Sequence, residues 1–136
     1  MTSPEAIVLR QRLVRVITRR VGSSTDAGAV AAAARLAHDD LLAVLAPLIS
    51  SAGVEALSGR AFDLAQREYP AGEPSGEVNQ WLEKQAPSVA TEAAAAMFAT
   101  FAELLATLIG EPLTTRYLEK AWPDGFSDAQ PKGKKA

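Results

Sequence analysis

Apolar side chains recur along this chain every three to four residues, and no stretch keeps the two-residue alternation of a half-buried strand. The longest apolar run, TEAAAAMFATFAELLATLIG over residues 91–110, organises the pattern. On a helical wheel Met97, Phe98, Phe101, Leu104, Leu105, Leu108 and Ile109 share one broad arc, and Glu92, Thr100, Glu103 and Thr107 form a narrow polar stripe opposite. A helix with so little polar girth belongs at the centre of a bundle. Its length also suits a bilayer span, but the Glu103 carboxylate would cost about 2.5–3.5 kcal/mol in hydrocarbon, which favours the bundle.

The flanking segments predict further helices with recognisable ends. Ser3-Pro4-Glu5 combines a hydroxyl cap, a proline at the first helical position and an acid in the first turn, and predicts a helix that runs to Val21 and stops at Gly22. Ala6, Leu9, Leu13, Val16, Ile17 and Val21 form its apolar arc, Arg12, Arg15 and Arg19 lie opposite, and Arg10 and Arg20 intrude on the apolar side. A turn over residues 23–26 opens a second helix over residues 26–45, with Val30, Ala34, Ala37, Leu41, Val44, Leu45 and Leu48 on one face. Pro47 is expected to kink or end it, because proline removes an internal hydrogen bond and crowds the preceding turn. Gly53 restarts the chain into a third helix over residues 54–69, closed by Pro70.

The loop PAGEPSG, residues 70–76, then divides the chain. Ser75 or Gly76 is expected to cap a short helix through Trp81 to about Gln85. Gly110-Glu111-Pro112 ends the central helix and opens a last one that reaches Trp122, before Pro123. The expected fold is all-α, a single compact bundle of five or six helices over residues 1–123, followed by a disordered basic tail over residues 124–136.

The two halves share a pattern. Asp40-Leu-Leu-Ala-Val-Leu45 parallels Glu103-Leu-Leu-Ala-Thr-Leu108; each is followed by a break and by Leu-Ser/Thr-x-Arg, as Leu57-Ser58-Gly59-Arg60 and Leu113-Thr114-Thr115-Arg116. The halves end in Tyr69-Pro70 and Trp122-Pro123. Two pseudo-repeated helical hairpins would produce this pattern, and so would chance among leucines and alanines. The stretch Leu108-Ile109-Gly110-Glu111 with Leu113-Thr114, Arg116 and Trp122-Pro123 resembles segments of small all-helical bacterial proteins over residues 36–124. That resemblance implies a helical fold and a bacterial cytoplasmic setting, and nothing about chemistry.

Charge is unevenly placed behind a net −2: residues 1–20 carry +4, residues 21–131 carry −9 and residues 132–136 carry +3. The acidic body argues against nucleic-acid binding, leaving the first helix and Lys132, Lys134 and Lys135 as weak phosphate contacts at most. The cationic first helix, residues 4–21, could lie on an anionic membrane surface, but a solvated face is the plainer reading. No cysteine is present, which excludes disulfides and thiolate chemistry and fits a reducing cytoplasm.

Candidate chemistry is sparse. His38, the single histidine, suggests a phosphocarrier, but Leu41 and Leu42 stand where such sites carry a lysine and a small residue, and Asp39 and Asp40 repel phosphate. A border histidine held by a neighbouring carboxylate or backbone group is the favoured reading. Glu92 and Glu103 share a face but sit roughly 16 Å apart along the helix, too far for one acid/base pair. No Glu-x-x-His unit exists for a di-metal centre, so neither a metal nor another cofactor is expected. Thr114, Thr115 and Arg116 fall in the first turns of a helix, where free N–H groups and a guanidinium could hold an anion; Arg60 is the matching residue of the first half. Phe101, Tyr117 and Trp122 are candidates for an adjoining pocket.

The primary functional expectation is a non-catalytic protein–protein interaction or regulatory module, with a protein partner or self-association. Val8, Leu36 and Leu42 support it, since they fall off the predicted core arcs. The alternative is a small-molecule or anion-binding helical domain, with or without catalysis, whose pocket lies near the last helix.

Overall fold

The computed structural model describes residues 4–22, 26–72 and 76–126, all helix, turn or short connection. Helix α1 spans Pro4–Val21, α2 Ala27–Glu68, α3 Val78–Glu83, α4 Pro87–Ile109, α5 Glu111–Ala121 and α6, a single turn, Pro123–Phe126. The fold is an all-α bundle. Helix α4 is its axis: it packs along α2 on one side and α1 on another, while α3, α5 and α6 close the ends. The wheel explains most of this. Ala93, Ala94, Ala95 and Ala96 are buried along with Met97, Phe98 and Phe101, so neighbouring helices approach α4 closely over its alanines and interlock over its aromatics. Leu108 leaves the predicted arc and is 65% exposed.

Helix α1 buries Leu13, Val16 and Ile17 as its pattern demands. The two arginines that intrude on its apolar side each find a carboxylate at the border of the core. Arg10 makes a two-pronged pair with Glu68, at 2.6 and 2.8 Å, and Arg20 reaches Asp40 at 2.8 Å. Both ties fasten α1 to α2. The Arg10 hydrogen bonds hold the Glu68 carboxyl below its usual range. A depressed carboxyl contributes stability above the unfolded-state value and loses it as pH falls through the folded one. Arg10→Gln is therefore expected to cost about 0.2–1 kcal/mol near neutral pH and to flatten the loss of stability on acidification, read by urea unfolding at several pH values. The effect is small because both side chains are more than a third exposed, and salt should shrink it.

The expected break at Pro47 is corrected by the structure. The helix passes through Pro47, which is exposed, and its dihedrals fail three residues later at Ser50, with φ 73° and ψ 159°. Ser50 is the only non-glycine residue with positive φ among those described. Its hydroxyl accepts a hydrogen bond from the Gly53 N–H at 3.1 Å, so it caps the second arm of α2 while ending the first. The two predicted helices are thus the arms of one elbow. Gly110, between α4 and α5, has nearly the same conformation, φ 90° and ψ 155°. Tyr69 and Trp122, which end α2 and α5 before a proline, also match, at φ −127°, ψ 72° and φ −134°, ψ 67°.

The connections are tied by side chains. The Tyr69 carbonyl accepts from Trp81 Nε1 at 2.8 Å and Gln85 Nε2 at 2.9 Å, which locks α3 under the end of α2 and accounts for a buried glutamine. Glu77, rather than Gly76, is the N-cap residue of α3, and it makes no side-chain capping bond; the other expected cap, Ser75, lies outside the described residues. At the other end Trp122 is fully buried, with its Nε1 donating to the Ala37 carbonyl of α2 at 3.0 Å. Phe126 is 4% exposed and stacks beside it, so the folded body extends past residue 123 into a segment expected to belong to the tail. Gly125 lets α6 lie on α1, since a Cβ there would fall 2.2 Å from Val16 Cγ2. The remainder of that expected tail, residues 127–136, and the predicted caps at Ser3 and over residues 23–25 lie outside the described residues.

Candidate functional site

Two hollows open between the helices, and both are built around the repeated Leu-Ser/Thr-x-Arg segments. The first lies in the elbow of α2 and encloses about 420 Å³. The Ser50 bend brings Arg35 and His38 of the first arm opposite Glu55, Ser58 and Phe62 of the second. Phe98 and Phe101 of α4 lie beneath, and Val78 and Asn79 of α3 close one side. His38 is half-buried, with Nε2 3.8 Å from the Glu55 carboxylate across the elbow. That is an ionic contact when the ring is protonated and too long for a hydrogen bond. Its partner is therefore not Asp39 or Asp40 but a residue 17 positions on.

The second hollow, about 680 Å³, is a groove between α1, α4 and α5. Leu9, Ala102, Leu118 and Phe126 supply apolar surface, and Glu103, Glu111 and Glu119 supply three carboxylates. Arg12 crosses one end, its guanidinium 5.6 Å from the Phe126 ring centre. Val8, beside the groove, is 47% exposed, as is its neighbour Ile7.

The two segments are equivalent beyond the motif read in the sequence. Glu55 corresponds to Glu111, Ser58 to Thr114, Phe62 to Leu118 and Asp63 to Glu119, all at the same offset. The first three of each set line their respective hollows. In each, the arginine is exposed and turned away, and the hydroxyl is turned in: Ser58 Oγ and Thr114 Oγ1 are buried without a hydrogen-bond partner. An unpartnered buried hydroxyl costs about 1–3 kcal/mol. The two atoms stand at equivalent positions, each on a residue that lines a hollow.

The sequence-predicted site residues are dispersed. Thr114 and Thr115 line the groove and Phe101 the elbow cavity, while Arg60, Arg116, Tyr117 and Trp122 line neither. Trp122 is core, and Tyr117 is half-buried with Lys120 over its ring at 5.7 Å. Thr114 and Arg116 are on different faces and do not converge. The residues missed were Glu55 and Glu111, three positions before each hydroxyl and hence on its helix face. Among the described residues no three His, Asp or Glu side chains gather as a metal ligand set.

The fold and its hollows define an all-helical bundle with paired, elbow-like helix breaks and two equivalent carboxylate–hydroxyl faces. No family model, curated protein or solved structure matches the chain.

Proposed function

We propose that the protein is a non-catalytic interaction module whose groove between α1, α4 and α5 receives an amphipathic helix of a protein partner, apolar on one face and flanked by lysine or arginine. One observation carries the reading: an apolar trough bordered by Glu103, Glu111 and Glu119, with Val8 of α1 47% exposed in its lining. Apolar side chains this exposed contribute little to folding, and beside a trough they provide the anchoring surface that helix-in-groove recognition uses. The carboxylates select the charge of the partner and steer its approach. The lack of cysteine fits a reducing, cytoplasmic setting for this role.

The test separates binding from folding. Thr115→Arg and Val8→Glu are expected to change stability by no more than about 0.5 kcal/mol, because both side chains are exposed in the groove. Each should nonetheless abolish recovery of the partner when tagged protein is purified from its native host at low salt. Undiminished recovery of the same partner by both variants would contradict the assignment.

A further inference from the structure

The elbow cavity is separate from the groove and has a different chemistry. Its floor is apolar and aromatic: Phe62, Met97, Phe98 and Phe101 are each at least nine-tenths buried. Polar groups stand only at the wall and mouth. They are the carboxylates of Glu55 and Glu77, the unpartnered Ser58 Oγ, the Asn79 amide and the His38 imidazole, with the guanidinium of Arg35 as the single fixed cation. With His38 neutral, the mouth carries one net negative charge. The volume falls within the range of small-molecule sites, and an apolar floor with a few convergent polar groups is their usual composition.

We propose that this cavity binds a small molecule made of an apolar ring and an amine. The ring lies on Phe62, Met97 and Phe101, and the ammonium donates to Glu55 and to Ser58 Oγ. The ammonium sits across the elbow from His38, whose imidazole Nε2 lies 3.8 Å from the Glu55 carboxylate. The bend at Ser50 is what makes the site, since it sets the two arms of α2 on opposite sides of the ligand.

Met97 provides a direct reporter, because the chain has only two methionines and Met97 is the one in the cavity. The full chain, labelled with ¹³C-methyl methionine and assigned through Met97→Leu, is titrated with tryptamine, indole and indole-3-acetate, which share a ring and differ in charge. Tryptamine is expected to shift the Met97 methyl resonance saturably and to bind on the order of tenfold more tightly than indole-3-acetate, the size of one charge-assisted contact. Ser58→Ala and Glu55→Gln, neither of which removes a core side chain, should each weaken tryptamine binding several-fold. Val8→Glu, in the groove, should leave it unchanged, so that failure here is distinct from failure of the docking assignment. Absence of saturable tryptamine binding, equal or tighter binding of indole-3-acetate, or undiminished binding by both cavity variants would overturn the proposal.

Discussion

Trp122→Ala is expected to be the most damaging single substitution in the chain. The indole is fully buried where α2, α4, α5 and α6 meet, edge-on to Phe98 at 5.4 Å and tilted against Phe126 at 5.9 Å. Removing a large buried aromatic costs about 3–5 kcal/mol, and the Nε1 bond to the Ala37 carbonyl adds roughly 1 kcal/mol. Much of the stability of a small domain would be lost. Trp122→Phe should keep most of the packing and lose the hydrogen bond, at about 1–2 kcal/mol. Trp81 remains as the sole indole in both variants, so fluorescence-monitored urea unfolding reads the difference. A loss below about 1 kcal/mol for the alanine variant would mean that this junction does not hold the bundle together.

The second large effect is expected at Ser50, and its sign depends on the substituent. A serine at φ 73° and ψ 159° occupies a region essentially reserved for glycine, at a cost of about 1–3 kcal/mol. Ser50→Gly removes that strain and loses the bond to the Gly53 N–H, where glycine as a cap falls short of serine by only a few tenths of a kcal/mol. The net expectation is a gain on the order of 1 kcal/mol. Ser50→Val loses the same bond and adds a β-branched side chain to the strained backbone, for a loss of about 2 kcal/mol or more. Paired thermal or urea unfolding decides it. If both variants lose stability to a similar degree, the hydroxyl rather than the backbone geometry governs the elbow.

Ser50 also shows where sequence pattern stops being informative. Proline and glycine mark breaks through their own chemistry, so Gly110 and Pro112 located the α4–α5 junction directly. A serine with positive φ has no such mark. Pro47 pointed to the right neighbourhood, but its ring faces solvent, so the helix tolerates it and bends three residues later. The bounds of α1 followed from its proline start and glycine stop, and the buried arc of α4 followed from periodicity because a continuous apolar face has one direction to point. Leu108 departed from that arc because it lies at the end of α4, beyond its packed middle. Phe126 was misread for the opposite reason: a single aromatic among glycine, proline and lysine carries no periodicity, and only the fold shows it stacked on Trp122.

The candidate site was legible in its positions and not in its orientation. The Leu-Ser/Thr-x-Arg repeat drew attention to Arg60 and Arg116 because guanidinium groups carry recognisable chemistry. Two residues apart on a helix, however, the hydroxyl and the arginine point in widely different directions. In the fold the hydroxyls turn inward and the arginines outward. The matching Glu55 and Glu111 share the face of the hydroxyls, so the spacing of three held the information. Without knowledge of which side of the helix is covered, it could not be read as a site.

Site-specific photo-crosslinking in the native host tests the docking assignment most directly. A photoreactive amino acid is placed at Val8 in the groove and, for comparison, at Ala43, an exposed position on α2. The account predicts a discrete adduct from position 8 and none from position 43. Mass spectrometry of the adduct should yield a partner peptide with helical apolar spacing flanked by lysine or arginine, and reversal of Glu103, Glu111 and Glu119 to lysine should eliminate it. No adduct at position 8, the same adducts at both positions, or an adduct indifferent to the charge reversal would contradict it.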